Sequence, residues 1–382
     1  MKKELQLNQL FQNYNISDYD YIGVAVTPWH AYALKAALAL IQKDSIEPLK
    51  GIICILRNHG EDYIIDESYL TDIDCECIYL DPTLEKREIA SSFFDSILYS
   101  TLKYKSSDKK NFYILSQQKP WPLYMYMVDK YTKKSRNLIS VICDEGVGSY
   151  INSDLDRLEP WNSKNLFRNI KRLLEQKLST NCLENKLSKN NALYNYCLFE
   201  KTTNGLIENK VISNYLKDIM YKHAKSLDVN YPVIDRDYIL INTQPFTNED
   251  VSLELVNDLW KDIIRMYKSF GFDVYIKPHP REKDLKCYQA MGAKLIAESS
   301  IAQELLLMKM RRPKYLISLY STTLVTAPVL NDVQTICLAP LLLDFSISND
   351  LRRSAENFIE TFKTNTNMVK SLNELEVHNG KQ

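Results

Sequence analysis

The sequence predicts an α/β protein with two parallel sheets, and three observations carry that prediction. Short apolar runs without inside–outside alternation recur along the chain, as strands buried on both faces require. Stretches of helical periodicity separate them. The chain has 382 residues, too many for one ordinary core, and a 45% hydrophobic fraction that supplies two.

Residues 21–26 form the first apolar run, and Pro28 then opens a helical stretch to about residue 42, proline being tolerated in a first turn. Strands follow at 51–56 and 75–80, a helix at 84–103, a strand at 112–115, a helix at 123–131 and a strand at 138–143. From 153 to 230 the pattern turns helical, with Leu166, Phe167, Ile170, Leu173 and Leu174 at helical spacing. Alternation then resumes. Strands are predicted at 238–242, 272–276, 314–319 and 334–338, with helices at 252–270 and 301–309 and a closing helix at 350–375. The organisation is an α/β domain over 1–150, a helical basic connecting region over 151–232, and a second α/β domain over 233–382.

Composition narrows the chemistry. Nine glycines exclude a dinucleotide fingerprint and a glycine-rich phosphate loop, both of which cluster glycines. Lys+Arg and Asp+Glu are equal at 48 each, so nucleic acid is not an expected partner. The balance hides a local excess: residues 161–190 hold seven Lys/Arg against two Glu, which suits either a solvated face or an anionic membrane surface. The eight cysteines are scattered without a C-x-x-C, several in apolar runs, as buried thiols of a reducing compartment would be. The first 13 residues lack the apolar core of a signal peptide, and no run reaches the 18 or so apolar residues of a spanning helix. A cytoplasmic location is expected.

Ligands of open α/β sheets bind beyond the carboxyl ends of the strands, and four predicted strand ends carry polar groups. Asp144-Glu145-Gly146 follows the strand at 138–143; a carboxylate there is a candidate general base, or simply part of a solvated turn. Thr243-Gln244-Pro245 follows the strand at 238–242. Lys277-Pro278-His279-Pro280-Arg281-Glu282 follows the strand at 272–276, its histidine held between two prolines and flanked by cations, as an anion site would want. Ser321-Thr322-Thr323 follows the strand at 314–319, where hydroxyls at a helix start either cap it or hold an anion. His30 lies near a strand end in weaker company, and His59, His223 and His378 are expected on the surface. Four D-x-D triplets (18–20, 72–74, 154–156, 235–237) end no strand with reactive neighbours, so no metal is assigned to them.

In this order the motifs resemble those of the bacterial sialyltransferases, and family 52 of the glycosyltransferases most closely: acid-acid-Gly at Asp144-Glu145-Gly146, His-Pro at His279-Pro280, and a later Ser/Thr pair at Ser321-Thr322. The related bacterial polysialyltransferases share the first two. Glu304 is similar to a glutamate that grips the donor ribose in related sialyltransferases. The resemblance spans about residues 20–340. It implies a GT-B fold, two Rossmann-like domains facing across a cleft, the first on the acceptor side and the second binding the nucleotide sugar. It implies CMP-sialic acid as donor, inversion at the anomeric carbon, no metal or other cofactor, and a galactose-terminated glycan of a capsule or lipooligosaccharide as acceptor.

By the matching positions, Glu145 would be the general base, with Asp144 as the fallback. His279 would donate to the leaving phosphate, Ser321, Thr322 and Thr323 would hold it, Glu304 would hold the ribose, and Lys277 and Pro280 would lie near the nucleotide. Residues 161–190 would offer peripheral contact with the inner face of the membrane, and pairing into a homodimer is left open. The alternatives are a GT-B enzyme with another nucleotide sugar and a non-catalytic glycan-binding protein.

Overall fold

The computed structural model describes residues 13–56, 65, 67–80, 110–116, 137–146, 150, 170, 193–199, 208–228, 231–282, 285–296 and 301–375. The helices expected at 84–103 and 123–131, the basic segment 161–190 apart from Ile170, the acidic triplet 154–156, His59 and His378 lie outside them. The chain divides into two compact units, Met1–Ile219 and Met220–Gln382.

The first unit is built on β1 (Tyr21–Ala25), α1 (Pro28–Lys43), β2 (Lys50–Leu56), β3 (Asp74–Leu80), β4 (Asn111–Ser116), β5 (Asn137–Cys143), β6 (Leu193–Cys197) and β7 (Glu208–Val211). They form one sheet in the order β3-β2-β1-β4-β5-β6-β7, with every ladder parallel. Parallel strands need crossovers that cover both faces, which is why β1 and β2 are buried almost throughout. Thr27 caps α1, its hydroxyl accepting the His30 amide at 3.4 Å, and Pro28 takes the first turn. Four of the five alanines of α1 (31, 33, 36 and 37) are fully buried and let the helix lie close on the sheet.

The helical region expected over 151–232 contains two strands of this sheet, β6 and β7, before α2 (Ser213–Ser226). His223 corrects another expectation. It is buried, because it shares the inward face of α2 with Leu216, Met220 and Ala224 at helical spacing.

The second unit comprises β8 (Tyr238–Asn242), α3 (Leu253–Ser269), β9 (Asp273–Lys277), α4 (Lys286–Ala290), β10 (Lys294–Leu295), α5 (Gln303–Lys309), β11 (Tyr315–Ser318), α6 (Thr323–Asn331), β12 (Thr335–Cys337), α7 (Ala339–Leu342), α8 (Asn349–Phe362) and β13 (Asn367–Met368). Its sheet runs β10-β9-β8-β11-β12-β13, again with parallel ladders. Ser252 caps α3, which buries Val256, Leu259, Trp260, Ile263, Ile264 and Tyr267 along one face. The closing stretch is not one helix to residue 375. α8 ends at Phe362, and β13 then adds an edge strand beside β12. Both units have the doubly wound, Rossmann-like order, in which the sheet grows outward in two directions from a central pair.

Gly51 stands opposite Tyr21 in the β1–β2 ladder, and a Cβ there would sit 2.3 Å from the Tyr21 ring. That ring is fully buried and its hydroxyl donates to the Asp74 carbonyl at 2.9 Å, so it has nowhere to move. Gly51→Ala should lower unfolding free energy by about 1–3 kcal/mol in a denaturant titration. Gly23→Ala, whose methyl meets Leu34 at 3.4 Å, should stay within about 1 kcal/mol of wild type. Equal effects at the two positions would contradict this packing.

Candidate functional site

In the first unit, Asp144 and Glu145 leave the carboxyl end of β5 into different surroundings. Asp144 is 1% exposed. Its Oδ1 accepts the Trp29 indole N–H at 3.1 Å and the Gly146 amide at 2.6 Å; its Oδ2 accepts the Leu198 amide at 2.9 Å and the Tyr150 hydroxyl. One carboxylate thus ties the start of α1, its own loop and the end of β6 together. Burial raises the Asp144 pKa, and the four donors oppose that shift by favouring the charged form. Gly146 has a φ of 86°, a conformation glycine adopts without strain, and this lets the loop fold back onto Asp144. Glu145 is half-buried, and it is the acid of the pair that is not committed to these four bonds.

In the second unit the strand order reverses between β8 and β11, which makes that point of the carboxyl edge the expected ligand site. Thr243 and Gln244 follow β8, residues 278–282 follow β9, and residues 320–323 follow β11. Hydrogen bonds lace them together. The Gln244 amide donates to Ser318 Oγ at 2.6 Å and to the Tyr320 carbonyl, and the Thr243 amide donates to the Lys277 carbonyl at 3.4 Å.

Within the β9 loop, the Arg281 amide donates to His279 Nδ1 at 3.2 Å. A neutral imidazole accepting at Nδ1 carries its proton on Nε2. Ser321 Oγ accepts the Thr323 amide at 3.3 Å and lies 3.2 Å from Thr323 Oγ1, at the start of α6. The Thr326 hydroxyl, one turn further on, donates to Glu304 Oε1, and the Asn331 side-chain amide donates to the Glu304 carbonyl at 3.0 Å. Glu304 also faces Lys277 electrostatically. Burial lowers the Lys277 ammonium to about 8, and the charge of Glu304 pulls it the other way.

The expected residues Lys277, His279, Pro280, Glu304, Ser321, Thr322 and Thr323 all belong to the second unit, and these contacts connect most of them along its carboxyl edge. Asp144 and Glu145 belong to the first unit. Three participants were not singled out from the sequence. Trp29 and Tyr150 hold Asp144, and Thr326 holds Glu304. For Trp29 and Thr326 the only sequence signal is a polar group within a stretch that otherwise reads as core, and Tyr150 stands in a polar stretch six residues after Asp144. Two acids of the D-x-D triplets form ion pairs: Asp20 with Lys110 at 2.8 Å and Asp237 with Arg311 at 2.5 Å.

Two Rossmann-like units, the second with a polar carboxyl edge at its switch point, are the parts of a GT-B fold. The model of the alpha-2,8-polysialyltransferase family matches residues 86–339, well over half of the chain, and the chain belongs to that family. Solved structures with a similar course include an alpha/beta-galactoside alpha-2,3-sialyltransferase from Photobacterium phosphoreum, with TM-score 0.46 and 15% identity over 92% of this chain and 98% of that one. A sialyltransferase from Photobacterium damselae gives TM-score 0.48 and 10% identity over 92% and 98%. A UDP-GlcNAc 2-epimerase from Neisseria meningitidis gives 0.44 and 13% over 94% and 93%. No curated protein matches the sequence. Among the described residues no helix is long and apolar enough to cross a membrane.

The buried Lys277 has a thermodynamic signature. Its folded pKa of about 8 lies below the ordinary 10.5. The unfolded state therefore holds more protons between those values, and stability gains from this group as pH rises through that window. The unfolding free energy of wild type minus that of Lys277→Met should accordingly increase from pH 8 toward 10.5. A flat difference would mean that the ammonium is not desolvated.

Proposed function

We propose that this sialyltransferase moves sialic acid from CMP-sialic acid to a hydroxyl of a galactose-terminated glycan, with inversion and without a metal. The observation that carries the reading is the second unit's carboxyl edge. A histidine whose Nδ1 accepts a backbone N–H, a buried lysine and a hydroxyl-rich helix start lie along the carboxyl edge around one switch point.

The chemistry asks for such a set. The acceptor oxygen attacks the anomeric carbon from the face opposite CMP. The bond to the CMP phosphate oxygen breaks through an oxocarbenium-like transition state, and negative charge grows on the departing phosphate. Preorganised N–H and O–H donors stabilise that charge. In this reading His279 donates from Nε2, Ser321, Thr322 and Thr323 supply hydroxyls or backbone amides, Glu304 takes the ribose, and Pro280 and Lys277 border the nucleotide. The acceptor's proton passes to Glu145. Asp144, fully engaged by four donors, keeps the loop in place.

A second reading of the acceptor is favoured by the family itself, whose description names alpha-2,8-polysialyltransferases: the glycan would then end in sialic acid. Product analysis with CMP-sialic acid and either a galactoside or a sialoside separates the two. Glu145→Gln and His279→Ala should each reduce turnover by roughly 10²–10⁴, and EDTA should leave turnover unchanged. Near-normal turnover in a variant removes that residue from its role, and loss of activity with chelator rejects the metal-free mechanism.

A further inference from the structure

The Glu282 carboxylate is the junction of the β9 loop. Its Oε2 accepts the His279 amide at 2.7 Å and the Thr243 hydroxyl, and its Oε1 accepts the Tyr288 hydroxyl at 2.6 Å. The Glu282 amide in turn donates to the His279 carbonyl at 2.9 Å. Residues 279–282 therefore close a reciprocal four-residue turn, backbone to backbone and side chain to backbone, with Pro280 at the position where proline presets the turn. Such an exchange works as a capping box does, each end satisfying the other's donor. Thr243 ties this turn to the end of β8, and Tyr288 ties it to α4. Within this closed turn the Arg281 amide reaches His279 Nδ1, at 3.2 Å.

We propose that Glu282 is a positioning residue: with Thr243 and Tyr288 it holds His279 in the Nε2–H tautomer and in the turn geometry from which that N–H meets the departing phosphate. The proposal rests on the role given above to His279. Glu282 itself touches no reacting atom. It acts by keeping the Nδ1 lone pair occupied by a backbone donor. When the turn opens, the imidazole gains rotamers and a second tautomer, and the donor is no longer preorganised. A misplacement of this kind lowers the chemical step while leaving acceptor binding alone.

The test joins nitrogen-15 spectroscopy of the histidine side chains with kinetics. Five histidines make the spectrum simple, and His279→Ala assigns the signal of interest. Wild type should show His279 as the Nε2–H tautomer alone. Glu282→Ala should show a tautomer mixture, and its kcat should fall roughly 10²-fold with the acceptor KM little changed. Glu282→Gln, whose amide oxygen still accepts the His279 N–H, should recover part of that loss. Tyr288→Phe removes one supporting donor without emptying the site, so it keeps the test available if Glu282→Ala does not fold. A sole Nε2–H tautomer with wild-type kcat in the folded Glu282 and Tyr288 variants would overturn the proposal. Normal turnover in His279→Ala would instead remove the reaction role of His279, while the spectra would still report whether Glu282 sets its tautomer.

Discussion

Every ladder in both sheets is parallel, so each strand must return through a crossover before its neighbour can form, and the carboxyl ends collect along one edge. Crossovers bury both faces of a sheet and leave its edges as the places where polar groups meet solvent. In the second unit the crossovers pass to opposite sides of β8 and β11, and the loops that leave the strand ends part there. The position of His279, of the hydroxyls at 321–323 and of Thr243 follows from that constraint alone. These three segments are far apart in sequence; the register of β8, β9 and β11 brings them to one edge.

The two motif loops solve one problem in the same way. Each has a carboxylate engaged by several N–H and O–H donors, and that carboxylate is not the group assigned to the chemistry. Asp144 takes four donors and fixes the loop that presents Glu145. Glu282 takes three and fixes the turn that presents His279. A carboxylate satisfied by donors from separate elements acts as a staple, because losing it strands several polar groups at once. This use of acids suits a chain with nine glycines. These two loops gain their shape from side-chain acceptors, and in the first of them Gly146 adds the positive φ that the turn needs.

Much of this fold was legible because buried parallel strands leave continuous apolar runs. β1, β2, β3, β5 and β8 stand within a residue of their predicted limits. What could not be read depends on neighbours distant in sequence. β6 and β7 lie in a stretch with helical periodicity, yet they form strands because β5 offers an open edge to β6, and β6 in turn to β7. β10 and β13 are two residues each, too short for any pattern. His223 looked like a surface residue until α2 was given an inward face. At the site, the strand-end motifs were visible as residue types, whereas the supporting partners were not. Thr243 meets Glu282 across 39 positions, and Trp29 meets Asp144 across 115.

The central claim is that nucleotide is held at the carboxyl edge of the second sheet, at its switch point. Amide hydrogen exchange with and without CMP tests it directly. The account predicts slowed exchange in peptides covering residues 277–282 and 320–326, with residues 21–56 of the first sheet unchanged. Protection confined to the first sheet, or none at saturating CMP, would contradict it.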